Sequence, residues 1–431
     1  MNALTLPAAT LPRVDAHAHR RTSTHAGLLE RAFAVVVLFL ATGGLLPLLR
    51  LENGIDLDDL EGDPVMQITW GAVYAITLVL LSTRGREIFR LLSRERWLVL
   101  LCGLAAVSVM WSVAPDVTFR RTVALFGTTA FGVYLASRYS VHDLLRLLGW
   151  VLTAIVVLSV VTVFFFPNHG ISPEDGTWRG IFVHKNALGR AMALACLAFL
   201  FRVCQRGIAN RLASLALLLL AVVALLGSRS VAGLLTAVTV AVTMPLWPVF
   251  RLRRTLMVAA AVFILIVVGG SAIWLITASD VMVSAVGKDP SLTGRAGLWL
   301  AVVESIATRP WLGHGYSAFW LGWGGESATI WRTLEWRPPH AHNGFLDLGL
   351  ELGGVGIALF VVGLATALGR SAVVIRRTAT AYGLWPIAYL MFIVMINLAE
   401  STIMVRNGVF WMLYVVTCIW LIRHGSERRS A

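Results

Sequence analysis

The segment Arg337-Pro-Pro-His-Ala-His-Asn343 ends the only long polar interval in this 431-residue sequence, which otherwise consists of successive apolar runs. A second segment of the interval, Thr293-Gly-Arg-Ala-Gly-Leu-Trp299, is predicted to open a short amphipathic helix that ends near Thr308. Both segments bring cationic or titratable side chains to a predicted helix start. Residues 278–343 are called the large loop below.

The composition around this interval is that of a membrane protein. Hydrophobic residues make up 58% of the chain and charged residues 14%, against roughly 25% charged in a soluble globular protein, and the mean hydropathy is +0.77. A chain in lipid must satisfy its backbone within helices or a closed barrel, and long apolar runs lack the alternation of a barrel. We therefore predict an all-α, polytopic integral membrane protein.

The formal charge of +13 does not indicate a nucleic-acid partner, because the arginines lie in short loops between apolar runs, as the positive-inside rule expects. The four cysteines lie within or at the ends of apolar runs and suggest neither disulfides nor a metal site. Asp15-Ala-His-Ala-His19 has the spacing of a metal-ligand pair but lacks partner ligands. It is interpreted as part of a cytoplasmic tail.

A transmembrane helix needs about 20 apolar residues, and about twelve runs qualify: 32–49, 66–82, 97–113, 122–137, 144–166, 187–205, 211–227, 230–249, 255–277, 344–368, 381–399 and 404–422. The loops after the second, sixth, eighth and tenth runs, and the C-terminal end, are rich in arginine and share one side. The predicted organisation is an N-terminal cytoplasmic tail (1–31), spans one to nine (32–277), the extracytoplasmic large loop (278–343), spans ten to twelve (344–422) and a second cytoplasmic tail (423–431).

In this topology every even-numbered span begins at the outer face, where its free N–H groups carry partial positive charge. Asn186, Ser230 and Asn343 are predicted N-caps there, and Thr293 a cap within the large loop. Arg229 and Arg295 lie beside such starts, where a cation opposes the macrodipole by about 0.3–1 kcal/mol. An anion bound between arginine and helix would explain both positions, since arginine matches phosphate with a bidentate fork.

Arginines at a membrane boundary can instead extend toward lipid headgroups. That interpretation competes evenly with anion binding for Arg120 and Arg121, and it is preferred for Arg309 and Arg332. Anion binding is preferred for Arg229 and Arg295.

His340 and His342 flank one alanine just before a predicted cap, and a neutral histidine can accept a proton from a hydroxyl. Three polar residues follow at spacing four on one helix face, where carboxylates usually face a polar interior: Asn343, Asp347 and Glu351. These carboxylates could orient the histidine or pair with the arginines. A purely structural ion pair with Arg295 or Arg229 is equally compatible with the sequence.

Four segments together resemble one known family: Gly180-Ile-Phe-Val-His-Lys-Asn-Ala-Leu-Gly189; Ser228-Arg-Ser230; Thr293 to Trp299 followed by Pro310-Trp-Leu-Gly-His-Gly-Tyr316; and His342-Asn343 followed by Gly353 and Gly356. From about the sixth span onward the chain resembles the O-antigen ligase and polysaccharide polymerase superfamily (Wzy/WaaL-like). It looks most similar to the exopolysaccharide polymerases of the ExoQ type.

The resemblance implies a GT-C-like, inverting glycosyltransferase of the bacterial inner membrane that needs no metal or other cofactor. Such enzymes transfer a glycan from undecaprenyl diphosphate to an acceptor glycan or glycolipid at the periplasmic face, in some systems with a chain-length regulator. By position, His342 would be the base, with His340 the competing assignment, and Arg295 and Arg229 would hold the diphosphate. Supporting roles fall to Arg179, His184, Lys185, Asn343, Asp347, Glu351 and Arg406.

Polymerase activity, with a second lipid-linked repeat as acceptor, is slightly preferred over ligation to lipid A-core. The alternative from another class is a flippase or transporter, since twelve spans are common among these proteins. The two halves of this sequence are unlike, however, and the charged residues crowd the outer ends of the helices rather than their middles.

Overall fold

The computed structural model of the chain describes residues 25–44, 64–204, 208–244, 270, 290–334, 336–378 and 381–426. In these ranges the chain forms fifteen α-helices: α1 (His25–Leu40), α2 (Pro64–Ser82), α3 (Gly85–Arg94), α4 (Arg96–Val107), α5 (Pro115–Arg138), α6 (Val141–Phe165), α7 (Pro167–Gly170), α8 (Lys185–Val203), α9 (Ile208–Ser228), α10 (Val231–Thr243), α11 (Pro290–Thr308), α12 (Ser327–Thr333), α13 (Gly344–Arg377), α14 (Trp385–Asn397) and α15 (Val409–Ser426). Short 3-10 helices occupy Ser108–Met110, Gly322–Gly324 and Ala381–Leu384. The described part is all-helical apart from an isolated bridge between Ile171 and Trp178.

Five of these helices (α2, α6, α8, α9 and α13) are long and apolar enough to cross a membrane, and several shorter apolar helices accompany them. The protein is therefore a multi-pass membrane protein. Eleven of the twelve predicted spans fall on described helices, and the predicted span 255–277 lies outside the described residues. The number twelve stays a prediction. The first helix begins at His25, seven residues before the predicted span.

Helix α3 occupies a stretch that the sequence predicts to be a loop. Its residues are the basic segment predicted to lie in the cytoplasm after the second span. Arginines at spacing four along it alternate with Ile88, Phe89, Leu91 and Leu92, a pattern typical of an amphipathic helix. Charge density alone does not distinguish a loop from a helix here, because a run of basic residues in a loop and the basic face of a helix have the same composition.

Close helix packing holds the bundle together. Gly132 of α5 faces Val415 of α15, and Gly189 of α8 faces Ser230 at the start of α10. A Cβ at either glycine would come within 3 Å of the opposing side chain. The second contact places the start of α10 beside the first turns of α8.

Helix α13 is broken at Gly353, which has φ 62 and ψ −163. Residues 310–315 of the large loop supply the hydrogen bonds that the break leaves open. The contacts are Gly354 N to Pro310 O (2.7 Å), Val355 N to Trp311 O (3.2 Å), His314 N to Leu350 O (2.8 Å) and Gly315 N to Glu351 O (3.0 Å). A Cβ at Gly353 would lie 2.3 Å from the Trp311 carbonyl carbon, so the close approach requires glycine. The loop and the first part of α13 thus form one unit.

Candidate functional site

Helix starts frame the candidate site, and two of the four predicted N-caps are confirmed. The Ser230 hydroxyl accepts from Gly233 N at 3.3 Å, and the Asn343 amide oxygen accepts from Phe345 N and Leu346 N at 3.0 and 3.2 Å. Asn186 is not a cap: α8 begins at Lys185, and His184 Nδ1 accepts from Asn186 N at 3.2 Å. The preference of asparagine for N-caps was overridden by the preceding loop, which sets where the helix begins.

The predicted cap Thr293 is also wrong, because α11 begins at Pro290. Proline is favoured in the first turn of a helix, where its missing N–H costs nothing. Arg295 therefore lies in the second turn rather than the first. The predicted end at Thr308 is confirmed.

The centre of the site is the carboxylate of Glu400, which is 1% exposed. Its Oε2 lies 3.4 Å from Arg190 Nη1, and its Oε1 lies 3.6 Å from Arg295 Nη2 and 3.7 Å from His342 Nδ1. Burial raises the pKa of Glu400, but His342 and the two guanidinium groups outweigh burial and hold that pKa below its ordinary value. Glu400 is therefore ionised, and three groups from separate elements converge on it.

The histidine loop is fixed through its middle residue, Ala341, which is fully buried. Ala341 N donates to the carboxylate of Asp347 at 3.0 and 3.2 Å, and Ala341 O accepts from Trp299 Nε1 at 2.9 Å. His342 then adopts a left-handed backbone with φ 49. This conformation is uncommon for a residue with a side chain and points to a functional constraint.

The two imidazoles lie close together, with ring centroids 4.1 Å apart and planes inclined at 51°. His340 Nδ1 accepts a hydrogen bond from His342 N at 3.1 Å. Burial and the neighbouring His342 hold the pKa of His340 well below its ordinary value, so this ring is neutral at pH 7. His340 supports the loop through its Nδ1, whereas His342 directs its Nδ1 toward Glu400.

Asp347 contacts the histidine loop rather than an imidazole or an arginine. Besides Ala341 N it accepts from Trp320 Nε1 at 2.7 Å and from the Ser401 hydroxyl. Glu351, one turn further, lies near the Ser317 backbone and the charge of Arg121. Of the alternatives left open by the sequence, orientation of the histidine applies to Asp347, acting through the backbone. The ion pair of Arg295 is with Glu400 instead.

Arg229 lies exposed in the turn between α9 and α10, with φ 49. The next residue, Ser230, packs against Gly189, which precedes Arg190 in α8. The chain at Arg229 therefore passes close to the first turns of α8, whereas Arg190 and Arg295 contact the carboxylate of Glu400 directly.

The other predicted supporting residues serve the surrounding loops. Arg179 donates to the carbonyls of His169 and Asn168 at 2.9 and 3.1 Å. Lys185 pairs with Asp175 at 2.8 Å. Burial lowers the pKa of His184, and the charges of Glu400 and His342 lie close enough to affect that pKa. Arg309, Arg121 and Arg406 donate to loop atoms, namely Trp111 O, Ser317 O and Ser317 Oγ.

His340, His342 and Glu400 also offer ligand atoms within 4.8 Å of one another, a spacing that could hold a metal ion. The same carboxylate is shared with Arg190 and Arg295. Two guanidinium groups beside a carboxylate oppose a divalent cation electrostatically and favour an anion. The chemistry of the cluster therefore fits a phosphate ligand better than a metal.

Two comparisons with known proteins bear on this site. The O-antigen ligase family matches residues 214–361. The exopolysaccharide production protein ExoQ of Rhizobium meliloti (strain 1021) is 27% identical over 316 residues, covering 70% of this chain and 71% of that protein. Over residues 214–361 this chain is similar to the O-antigen ligase family. A proposed polysaccharide ligase of Rickettsia prowazekii (strain Madrid E) is 37% identical over 75 residues, covering 17% of this chain and 18% of that protein.

The O-antigen ligase match includes Arg229, Arg295 and both histidines of the loop. It ends before Glu400 and begins after Arg190, the two residues that sequence reasoning did not place in the site. Arg190 lies in the second turn of an apolar helix, and no sequence pattern around it indicated a functional role. Glu400 was visible as an acid before the last predicted span, but its partners were not. The similarity to the O-antigen ligase family indicates enzymatic glycan transfer.

Proposed function

We propose that this protein transfers a glycan from undecaprenyl diphosphate to an acceptor hydroxyl and thereby polymerises exopolysaccharide repeat units. One observation carries the proposal: Glu400 Oε1 lies 3.6 Å from Arg295 Nη2 and 3.7 Å from His342 Nδ1. One buried carboxylate oxygen thus lies beside two groups. One is a cation that could bind a leaving diphosphate, and the other is a titratable group that could accept a proton from a hydroxyl.

The proposed reaction is an inverting displacement. His342 Nδ1 faces Glu400, which leaves Nε2 to accept the proton of the acceptor hydroxyl. The acceptor oxygen forms a bond to the anomeric carbon while the bond from that carbon to the diphosphate oxygen breaks. The diphosphate departs with the electron pair. Glu400 stabilises the imidazolium that forms, as a carboxylate does beside a catalytic histidine.

Arg295 and Arg229 are proposed to bind the diphosphate, with Arg190 as an additional cation. Fixed positive groups aimed at a leaving diphosphate stabilise charge as it develops, and they are already in position when the bond breaks. Arg190, Arg295 and Glu400 together carry one net positive charge before the donor binds. In this proposal the guanidinium groups supply the charge that a metal supplies in other transferases.

The acceptor is proposed to be a second lipid-linked repeat, because the longer of the two similarities is to an exopolysaccharide production protein. The second candidate is ligation of polysaccharide to lipid A-core, which the family description and the Rickettsia relative favour. A flippase fits the hydropathy but not the family match. The site is proposed to face the periplasm, with both termini cytoplasmic, because the positive-inside rule predicts the arginine-rich loops on the cytoplasmic side.

The test is complementation of a strain that lacks this gene with wild type or His342→Ala at matched membrane levels. Secreted and lipid-linked glycans are then separated by size. Restored polymer with wild type, and accumulation of single lipid-linked repeats with the variant, would support the polymerase. Polymer that stays lipid-linked and fails to reach lipid A-core would identify a ligase. Repeats retained at the cytoplasmic face would overturn the transferase and favour a flippase.

A further inference from the structure

A second group of cations lies outside the cluster around Glu400. Arg121 of α5 and Arg406, just before α15, converge on Ser317 of the large loop. Arg406 Nη1 lies 3.1 Å from Ser317 Oγ, Arg121 Nη1 lies 3.4 Å from the same atom, and Arg121 also donates to Ser317 O. Two guanidinium groups from distant parts of the chain thus meet at one hydroxyl.

The backbone around this meeting point is held in uncommon conformations. Ser317, Met404 and Asn407 all have φ between 55 and 58. Each such residue costs free energy and persists only where its surroundings determine it. The fixing contacts are Tyr316 Oη to Met404 O at 2.6 Å and Asn407 N to Thr128 Oγ1 at 2.8 Å. The arrangement is therefore preorganised rather than a chance approach of long side chains.

The electrostatics of the group favour an anion. The side chain of Arg406 is only partly exposed, and removing a charge from water costs free energy. Arg121 and Arg406 repel each other, and the nearby carboxyl group of Glu351 is attracted to Arg121, so the three groups together carry net positive charge. Ser317 Oγ accepts in these contacts, and its hydroxyl hydrogen is available as a further donor.

This second group lies beside the first site. Residues 400–406 run from the carboxylate shared with His342 to Arg406. On α13, Asp347 binds the histidine loop and Glu351 lies near Ser317, one helical turn or about 6 Å further along. A ligand held at Ser317 would therefore lie next to the groups proposed to perform the transfer.

We propose that Arg121, Arg406 and Ser317 form a second anion site that binds the diphosphate of the acceptor lipid. This inference rests on the proposed function, because a polymerase joins two substrates that both carry a lipid diphosphate and so needs two places for that group. Arginine forks suit a diphosphate better than lysine would. The site assigns the acceptor to the class of diphosphate-linked lipids.

The experiment counts bound undecaprenyl diphosphate on the purified full-length protein in nanodiscs by native mass spectrometry and titration calorimetry. Wild type should bind two molecules. Arg295→Gln should bind only one molecule. Arg406→Gln and Arg121→Gln should each weaken the binding of the molecule at Ser317 at least tenfold. Arg406→Lys keeps the charge for folding and should also weaken the second molecule. Arg120→Gln, at the exposed neighbour of Arg121, is the matched control and should bind two.

The second site would be overturned if every variant at Arg121 and Arg406 bound two molecules. It would also be overturned if wild type bound a single molecule and Arg295→Gln removed it. That last result would leave the proposed function intact. If Arg295→Gln changes neither molecule, the proposed donor site itself fails. Lipid A, tested as a competitor, should not displace the molecule held by Arg406. Displacement by lipid A at a lower concentration than undecaprenyl diphosphate would overturn the acceptor assignment.

Discussion

Glu400 Oε1 lies 3.7 Å from His342 Nδ1, and the carboxylate is almost wholly buried. We expect Glu400→Gln to lower turnover by about 10- to 100-fold, because the imidazolium formed in the reaction loses its stabilising charge. Glu326→Gln, at an exposed position of the large loop, is the control. Turnover equal to wild type in Glu400→Gln would reduce Glu400 to a structural role.

Arg295→Lys should lose most activity although the charge is kept. Lysine cannot form the bidentate fork that guanidinium makes with phosphate oxygens. Transfer rates measured with saturating acceptor should fall at least tenfold, about 1.4 kcal/mol in the barrier. Arg332→Lys in α12, where the side chain is exposed, should act as wild type. Full activity in Arg295→Lys would remove this arginine from the diphosphate site.

His340→Ala should be milder than His342→Ala. His340 supports the loop through one hydrogen bond to His342 N, and a hydrogen bond of this kind contributes about 1 kcal/mol. His342 is proposed to accept the proton, and general base catalysis contributes about 10²- to 10⁴-fold. Single-turnover rates at matched protein levels compare the two variants. The reverse order would reassign the base to His340.

Gly353→Ala should destabilise the protein by about 3 kcal/mol, because the break in α13 needs a left-handed backbone and space beside Trp311. Gly369→Ala, in the same helix, meets nothing within 4 Å. That control should be neutral or stabilising by up to about 1 kcal/mol. Melting temperatures in detergent provide the measurement. Equal melting temperatures for the two variants would show that the break is not built into the fold.

Stability should fall as the pH drops below about 6.5. Burial lowers the pKa of His314, so the unfolded chain binds a proton there before the folded protein does. The free energy of unfolding then decreases by up to about 1.4 kcal/mol per pH unit until the folded pKa is reached. Melting temperatures at pH 7.5, 6.5 and 5.5 should show a smaller slope for His314→Gln, with the exposed His169→Gln as control. Equal slopes in both variants would contradict the assignment.

Several parts of the site were predictable because their signals are local. Ser230 and Asn343 were predicted as N-caps from residue type and the apolar run that follows. Arg295 and the two histidines stood out as cations and titratable groups beside helix starts. Local signals also misled: Asn186 is a good cap by type, yet the loop before α8 gives that role to His184.

Hydropathy along the sequence determined that this chain crosses a membrane as a set of helices, because each helix must satisfy its own backbone in lipid and is therefore encoded by its own residues. Local sequence patterns likewise indicated Arg295 and His342 as candidate site residues. Only the tertiary structure decided that Glu400 joins them to Arg190. The free energy of a buried carboxylate depends on charges that approach through space, and one of those charges here is Arg190, more than 200 residues before Glu400 in the chain. No pattern within one segment encodes that approach.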